Sequence, residues 1–274
     1  MMKLSIVTVN RNNAAGLRAT MESVVAQTSR EFEYIVVDGA STDGSVEVIK
    51  ELAPQFGEGL KWISEPDSGI FSAMNKGIKM AEGTYCLFLN SGDSFYNENV
   101  VKKFVDFQCQ EDIVAGKENI PQKGIVKVPP RPEMLTYDYF VDDVLLHQST
   151  FIKRELLLRY GGYSENYKIV SDWEFWMKAL VQNNATYKIF PVVVANYNID
   201  GISNQQKYFD LKQAEEKDAL QKILPRVYPN NVELRELRRF KQEYEYLKNG
   251  KSGWLVKFAI WLKKRKNNDT VKYL

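Results

Sequence analysis

The chain has 274 residues, of which 44% are hydrophobic, 12% aromatic and 26% charged, and its formal net charge is +2. This composition excludes a mainly disordered chain and predicts one large domain or two closely packed ones. A net charge so close to zero gives no indication of a nucleic-acid partner. The charge is unevenly distributed, because seven basic residues and one acidic residue lie in 251–274.

The two cysteines, Cys86 and Cys109, are too few for a disulfide framework and lack the spacing of metal ligands. Cys86 lies in an apolar run, so we expect buried free thiols and a reducing compartment. The N-terminus has no signal-peptide pattern, and no run reaches the roughly 18 apolar residues that a membrane-spanning helix needs. These features predict a cytoplasmic protein.

The first hundred residues alternate between short apolar runs and amphipathic segments. Strands are predicted at 4–9, 34–37, 60–63 and 85–89. Between them, the apolar faces of two helices are Leu17, Met21, Val24 and Val25, and then Val46, Ile49, Leu52 and Ala53. Ser41 or Thr42 is predicted to cap the second helix, and a third helix is predicted at 70–81. Such alternation predicts a parallel sheet covered on both faces.

The pattern changes after residue 110 and again after residue 204. Strand-like runs lie at 113–115, 125–128, 149–152, 187–189 and 192–195. The Pro-rich segment 129–132 predicts an extended connection. We expect a first unit at 1–204, with halves 1–110 and 111–204, and a helical, strongly charged region at 205–274.

Polar side chains follow several of the predicted strands, where a parallel sheet binds its ligands. Asn10, Asp38 and Asp93 are therefore expected to converge on one edge. Asp38 could cap a turn or accept a hydrogen bond from a nucleotide base or ribose. Asp93, on a glycine-containing turn, could stabilise that turn or hold Mg²⁺ or Mn²⁺, which prefer oxygen ligands.

Two further residues leave a structural and a functional interpretation open. Ser171 is predicted to cap a helix whose first turn Asp172 and Glu174 favour, but Asp172 could instead be a general base. His147, the single histidine, is either a satisfied core residue or a ligand or catalytic group. The sequence has no phosphate loop, dinucleotide fingerprint or nucleophile elbow, so any nucleotide is expected to bind through strand-end side chains.

Five segments, in order, resemble family 2 glycosyltransferases, most closely the bacterial branch that builds exopolysaccharide, capsule and O-antigen units. They are 4–12, LSIVTVNRN; 35–45, IVVDGASTDGS; 64–78, SEPDSGIFSAMNKGI; 87–93, LFLNSGD; and 171–176, SDWEFW. The resemblance covers residues 3 to about 200. It implies a Rossmann-like α/β nucleotide-diphosphosugar transferase fold with a C-terminal helical extension. Residues 1–110 would then form the nucleotide-sugar half and 111–204 the acceptor half.

The resemblance also implies a chemistry: an inverting transfer from a nucleotide-diphosphosugar donor, usually a UDP-sugar, with Mg²⁺ or Mn²⁺. In this pattern Asp38 contacts the base of the nucleotide, Asp93 binds the metal and Asp172 is the general base that accepts a proton. The other residues expected at the nucleotide are Thr8, Asn10, Asp67 and Asn75, and those expected on the acceptor side are His147, Gln148 and Trp173.

The chain departs from the family pattern by lacking several acids. Gly39, Asn90, Gly92 and Ser171 stand where acids are usual, which leaves Asp93 as the one carboxylate of the metal motif. We therefore expect weak metal binding without nucleotide. The chain also lacks the Gln/Arg-x-x-Arg-Trp motif and membrane helices of processive synthases, which favours transfer of a single sugar.

The sequence leaves open two other functions and the role of residues 251–266. The alternatives are a non-catalytic sugar-nucleotide or glycan-binding protein on the same scaffold, and a nucleotidyltransferase. The amphipathic segment 251–266, rich in Trp and Lys, could bind the inner face of the cell membrane or dock on protein, including a second copy in a homo-oligomer. A membrane contact would suit a lipid-linked saccharide acceptor; a free glycan is the other acceptor expected.

Overall fold

The computed structural model describes residues 4–130 and 135–225. The chain divides into two compact units, Met1–Ile223 and Leu224–Leu274, and the second lies almost wholly outside the described residues. The membrane or docking contact predicted for 251–266 falls there too and remains a prediction. Within the described part of the chain, no helix is long and apolar enough to cross a membrane.

The described residues form one mixed sheet with helices on both faces. The strands are β1 Leu4–Asn10, β2 Phe32–Asp38, β3 Leu60–Ser64, β4 Tyr85–Phe88, β5 Ser94–Phe95, β6 Ile113–Ile120, β7 Ile125–Lys127, β8 Thr150–Lys153 and β9 Tyr187–Asn196. The α-helices are α1 Ala14–Val25, α2 Ser45–Leu52, α3 Ile70–Met80, α4 Val100–Phe107, α5 Tyr137–Asp142, α6 Arg154–Arg159, α7 Ser171–Trp176 and α8 Phe209–Ile223. A π-helical turn, Met177–Gln182, continues α7.

The strand order is β3-β2-β1-β4-β8-β6-β9-β5, with β7 paired to β6. β3, β2, β1 and β4 are parallel, which confirms the parallel sheet predicted for the first hundred residues. β8 then pairs antiparallel with both β4 and β6, while β9 runs parallel to β6. The chain therefore has the mixed α/β fold class expected, and β1, β4 and β9 end at the same edge of the sheet.

Both faces of the central strands are covered. Every residue of β1 and β2 is buried, as expected for strands between two helical layers. Ile6 belongs to the core cluster that includes apolar residues of α1 and α2. On the other face α3 lies so close to β1 that a Cβ atom on Gly77 would be 2.3 Å from Val7 Cγ1. The central strands are therefore packed tightly on both faces.

The start of α2 differs from the prediction. The helix begins at Ser45, after Gly44 in the left-handed conformation, and the Asp43 carboxylate accepts a hydrogen bond from the Ser45 N–H. The proposed cap at Ser41 or Thr42 is wrong, because the Ser41 hydroxyl donates to Asp38 instead. With this later start the buried face of the helix consists of Ser45, Val48, Ile49 and Leu52, without the predicted Val46.

The two runs predicted at 187–189 and 192–195 form a single strand, β9. Pro191 lies between them and cannot donate to a ladder, so a break was predicted from the sequence. The structure places this proline, exposed, where the pairing of β9 with β6 shifts register. An irregularity of this kind tolerates proline.

Candidate active site

A cavity of about 520 Å³ opens where β1, β4 and β9 end; we call it the strand-end cavity. Its lining comprises Val9, Asn10, Arg11, Asn13, Asp67, Gly69, Ile70, Ala73, Asn90, Ser91, Asp93, His147, Gln148, Tyr197, Asn198, Asp200, Gly201, Ile202 and Ser203. Polar side chains from the ends of three strands thus meet at one edge of the sheet, as the topology requires.

Asp38 is fully buried beside this cavity, and its carboxylate accepts four hydrogen bonds from the protein. Oδ1 accepts from Asn10 Nδ2 at 2.8 Å and from Ser41 Oγ at 2.5 Å. Oδ2 accepts from Ser64 Oγ at 2.6 Å and from Ser41 N at 2.9 Å. Burial opposes ionisation, but these hydrogen bonds outweigh it and lower the pKa of the Asp38 carboxyl. An ionised Asp38 therefore orients Asn10 and the turn after β2.

The other residues predicted at the nucleotide divide into two groups. Asn10 and Asp67 line the strand-end cavity. Among the described lining residues, Thr8, Asp38 and Asn75 are not found. Thr8 Oγ1 donates to the Leu89 carbonyl, and the Asn75 amide bonds with both main-chain polar atoms of Tyr163. A direct nucleotide contact by Thr8, Asp38 or Asn75 would require these internal bonds to be exchanged.

Asp67 explains the glycine at position 39. A Cβ atom on Gly39 would lie 2.3 Å from Asp67 Oδ2, so no side chain fits there while Asp67 keeps its position. The Asp67 carboxylate accepts from Gly69 N at 3.0 Å and lies 3.8 Å from the Arg11 guanidinium. A carboxylate from the loop before α3 thus occupies the space beside residue 39. Arg11 adds a largely exposed cation to the lining of the same cavity.

Asp93 ends a tight turn after β4. The turn is closed by the bond from Asp93 N to the Asn90 carbonyl, and Gly92 has a φ of +104° that favours glycine. The Asp93 side chain lines the cavity, and its Oδ1 accepts from Asn198 N at 2.9 Å. Burial raises the pKa of its carboxyl to about 7, against the opposing effect of the hydrogen bond from Asn198.

These residues fit a divalent cation that is shared with a ligand. No group of three or more His, Cys, Asp or Glu side chains suited to a metal lies within 4–130 and 135–225. In the turn that bears Asp93, however, the buried Asn90 Oδ1 has no hydrogen-bond partner among the described residues. Mg²⁺ and Mn²⁺ can bind through one or two protein oxygens when phosphate oxygens complete the shell. A nucleotide diphosphate would provide such oxygens.

A second cavity, of about 380 Å³, lies beside α7, and we call it the α7 cavity. Asp172 and Trp173 line it, together with Phe140 and Lys127. Its lining and that of the strand-end cavity have four residues in common: His147, Gln148, Tyr197 and Ser203. A group bound in one cavity would therefore lie next to a group bound in the other.

His147 lies where the two cavities meet, between Asp172 and the turn that bears Asp93. Its Nδ1 is 3.0 Å from Asp172 Oδ2, and its Nε2 is 3.0 Å from Asn90 Nδ2. Asp172 Oδ1 accepts a hydrogen bond from Trp173 N at 2.8 Å. Asp172 is thus both a residue of the first turn of α7 and a partly exposed carboxylate in a cavity. The two interpretations of Asp172 are therefore compatible, but the cap predicted at Ser171 is wrong, because Ser171 lies inside the first turn of α7 and Val170 is the N-cap.

The indoles of α7 anchor the helix that carries Asp172. Trp173 Nε1 donates to the Phe140 carbonyl at 2.7 Å, and Trp176 Nε1 donates to the Leu145 carbonyl at 2.9 Å. Both acceptors lie on the segment just before His147. The side chain of Trp173 is buried apart from the part that lines the α7 cavity. These two bonds tie α7 to the segment that leads to His147.

Sequence reasoning missed the segment after β9. Tyr197 and Ser203 line both cavities, and the main chain of Asn198 holds Asp93. The same rule that selected Asn10 would have selected Asn198, because both follow the end of a strand. The run predicted at 192–195 ends only one residue before β9 does, but no site residue was predicted after it.

Comparison with known proteins agrees with this arrangement. The sequence matches the family described as Glycosyl transferase family 2 over residues 5–159. A PGL/p-HBAD biosynthesis glycosyltransferase of Mycobacterium tuberculosis is 30% identical over 209 residues, covering 73% of this chain and 78% of the relative.

Two solved structures share the fold. Staphylococcus aureus TarS 1–349, in complex with UDP-GlcNAc, has a TM-score of 0.63 at 20% identity and covers 83% of this chain and 73% of that chain. The mannosyltransferase PcManGT from Pyrobaculum calidifontis, in complex with GDP-Man and Mn²⁺, has a TM-score of 0.59 at 17% identity. The match covers 94% of this chain and 73% of that chain. With more than half of its length matched to the family, this chain belongs to glycosyltransferase family 2.

Proposed function

We propose that this glycosyltransferase moves one sugar, a hexosyl or N-acetylhexosaminyl group, from a UDP-sugar to a glycan or lipid-linked saccharide, inverting the anomeric carbon. The observation that carries the proposal is the junction at His147, where a cavity with Asp93 meets a cavity with Asp172. An inverting transfer requires this arrangement, since donor and acceptor must meet while each remains bound on its own side. We assign the donor to the strand-end cavity and the acceptor to the α7 cavity.

The size and lining of the strand-end cavity support the donor assignment. Its volume of about 520 Å³ lies in the range typical of small-molecule sites. Asn10 and Asp67 offer polar contacts to the nucleoside, and Arg11 offers a positive charge to the diphosphate. The donor complexes of TarS and PcManGT, with UDP-GlcNAc and GDP-Man, support the same class of ligand here.

Mg²⁺ or Mn²⁺ is the proposed cofactor, with Asp93 as its protein ligand. When bound, the ion would act as a Lewis acid that neutralises the charge developing on the leaving diphosphate. The Mn²⁺ in the PcManGT complex supports a divalent ion in this fold. The Asp93 carboxylate would also hold Asn198 in place through its main-chain N–H, whether or not the ion is bound.

Asp172 is the proposed general base. Its carboxylate would take the proton of the acceptor hydroxyl as that oxygen attacks the anomeric carbon, while the nucleoside diphosphate leaves from the opposite face. Trp173 N holds one carboxylate oxygen and His147 the other, which keeps the group turned toward the junction. Apolar residues in the α7 cavity, among them Ile125 and Ile169, support an acceptor with an apolar portion, such as a lipid-linked saccharide.

Replacing Asp172 tests the proposal. We expect Asp172→Asn to lose about 10²–10⁴-fold in kcat while donor binding is kept, because a positioned base contributes about that much. Glu174→Gln is the matched control: it makes the same change on the same helix, at a residue absent from the described lining of both cavities. Near-wild-type turnover by Asp172→Asn would rule out this role.

The products of the reaction separate the alternatives. A glycosyltransferase releases a nucleoside diphosphate from the donor, whereas a nucleotidyltransferase consumes or releases pyrophosphate. A sugar-nucleotide-binding protein would release neither, even with acceptor and Mn²⁺ present. Product analysis of the wild-type chain with UDP-sugars therefore decides among the three.

A further inference from the structure

The proposed function assigns chemical steps to Asp93 and Asp172 but does not say what decides the protonation of His147, which lies between Asp172 and Asn90. His147 is the single histidine of the chain, and its side chain is 15% exposed. One ring nitrogen faces Asp172 and the other faces the amide nitrogen of Asn90, each at 3.0 Å. Asn90 stands where the family motif usually has an acid. These two contacts together constrain which ring nitrogen carries the proton.

Hydrogen-bonding capacity decides the tautomer. An ionised carboxylate can only accept, so the contact with Asp172 Oδ2 requires a proton on His147 Nδ1. In a neutral imidazole Nε2 then carries a lone pair and needs a donor. The Asn90 amide nitrogen provides that donor at the observed distance. An aspartate at position 90 could not, because a carboxylate would demand a second proton on the ring.

We propose that His147 is a positioning residue that orients the Asp172 carboxylate, and that Asn90 selects the tautomer in which it does so. The inference rests on the proposed role of Asp172 as base. Oδ1 of this carboxylate is held by Trp173 N and Oδ2 by His147 Nδ1–H, so rotation of the carboxyl group is restricted from both sides. A base held in this way keeps a free lone pair on each oxygen for the acceptor hydroxyl.

The same contacts connect the base to the donor side. Asn90 lies in the turn that closes at Asp93, and the Asn90 carbonyl accepts from Asp93 N at 2.9 Å. The hydrogen-bonded series Asn90–His147–Asp172 therefore runs from the strand-end cavity to the α7 cavity. The missing acid at position 90 is then an adaptation: the amide nitrogen of Asn90 helps to place the base, while its amide oxygen still faces no hydrogen-bond donor among the described residues.

The tautomer can be observed directly because the chain has one histidine. Imidazole ¹⁵N spectra of the full chain, prepared without a histidine tag, will give one pair of ring-nitrogen signals. We expect Nδ1 to be protonated and Nε2 unprotonated in the wild type, and Asn90→Asp to put a proton on Nε2. A wild-type ring protonated at Nε2, or an unchanged spectrum in Asn90→Asp, would overturn the assignment of Asn90.

Two replacements of His147 separate its two contacts. The amide nitrogen of asparagine lies near the place of Nδ1, and that of glutamine near the place of Nε2. His147→Asn can therefore still donate to Asp172, whereas His147→Gln can reach only Asn90. We expect His147→Gln to lower kcat by about 10²-fold with the KM for the donor little changed, since small misplacements of a reacting group cost that much. His147→Asn should recover at least tenfold of this loss.

Equal losses in the two variants, or a loss confined to the donor KM, would overturn the positioning role. Failure of the proposed function gives a different result. Full turnover by His147→Gln in an enzyme that needs Asp172 would overturn the positioning alone. Full turnover by Asp172→Asn would remove the base and, with it, the purpose of positioning. The wild-type spectrum needs no variant, so a variant that fails to fold leaves the tautomer measurable.

Discussion

At the scale of single residues, Asp93 is a carboxylate whose proposed function conflicts with stability. Burial raises the pKa of its carboxyl to about 7 from an ordinary value of 3.8. Burial and the charge of Asp93 also raise the pKa of Glu118, a second buried acid. Since folding favours the neutral form of Asp93, its ionisation destabilises the protein as pH rises from about 4 to about 7, and the cost is constant above that range.

Asp93→Asn should therefore stabilise the metal-free protein at high pH. The difference between the two pKa values corresponds to an upper limit of about 4 kcal/mol in the free energy of unfolding above pH 7. Below about pH 4 the advantage should vanish, because Asp93 is then neutral in both the folded and the unfolded chain. The asparagine oxygen can still accept from Asn198 N. Urea unfolding with EDTA between pH 4 and 8 measures this, and parallel pH profiles for wild type and variant would contradict it.

At the scale of elements, α8 holds the segment that leads into α7. The Glu215 carboxylate is buried and accepts from the main-chain N–H groups of Lys168 at 2.8 Å and Ile169 at 2.9 Å, with Val170 at 3.3 Å. This segment ends one residue before α7 begins, two residues before Asp172. α8 thus supports the segment before the proposed base, and it also contributes Lys212 and Glu216 to the lining of the α7 cavity.

Glu215→Ala should weaken both stability and turnover. Leaving the buried N–H groups of Ile169 and Val170 without an acceptor costs about 1–3 kcal/mol of unfolding free energy. We expect kcat to fall with the KM for the donor little changed, because the loosened segment carries Asp172 and not the strand-end cavity. Lys217→Ala, exposed and two residues further along the same helix, is the control. If both variants have wild-type kcat, α8 does not position the base.

The elements that were predicted from sequence are those with an apolar pattern of their own. β1 and β2 are buried along their whole length, and the apolar runs at 4–9 and 34–37 predicted most of each strand. The antiparallel direction of β8 could not be predicted, because an apolar run has no direction. The start of α2 was predicted too early, at a cap on Ser41 or Thr42, whereas the helix begins at Ser45 after Gly44.

At the scale of the whole molecule, the sequence predicted the site residues that lie at strand ends, because the sheet topology determines their position. It did not predict which side chains bond to one another. The strand-end rule located Asn10 and Asp93, which line the same cavity. It could not show that Asp38 is already satisfied, because its donor Ser64 comes from a neighbouring strand 26 residues away. The contact between Asn90 and His147 spans 57 residues and was equally hidden. Such side-chain pairings become visible only when the chain is folded.

A prediction for the whole molecule concerns the order in which metal and nucleotide bind. With Asp93 as the carboxylate of the metal motif, Mn²⁺ should bind weakly alone and tightly when a diphosphate completes its shell. Thermal unfolding at pH 8 should therefore show little stabilisation by Mn²⁺ and a stabilisation by UDP with Mn²⁺ that exceeds the sum of the separate effects. At one hundred times the dissociation constant, binding adds about 2.7 kcal/mol, or roughly 5–10 °C in Tm for a chain of this size.

Asp93→Ala is the decisive variant for this synergy. It should keep the stabilisation by UDP alone, since Asn10 and Asp67 remain in the cavity, and lose the additional effect of Mn²⁺. Glu174→Gln, away from both cavities, should retain the full synergy. Micromolar binding of Mn²⁺ to the wild type without nucleotide would contradict a site that depends on the diphosphate, because it would require ligands beyond the one carboxylate that the motif retains.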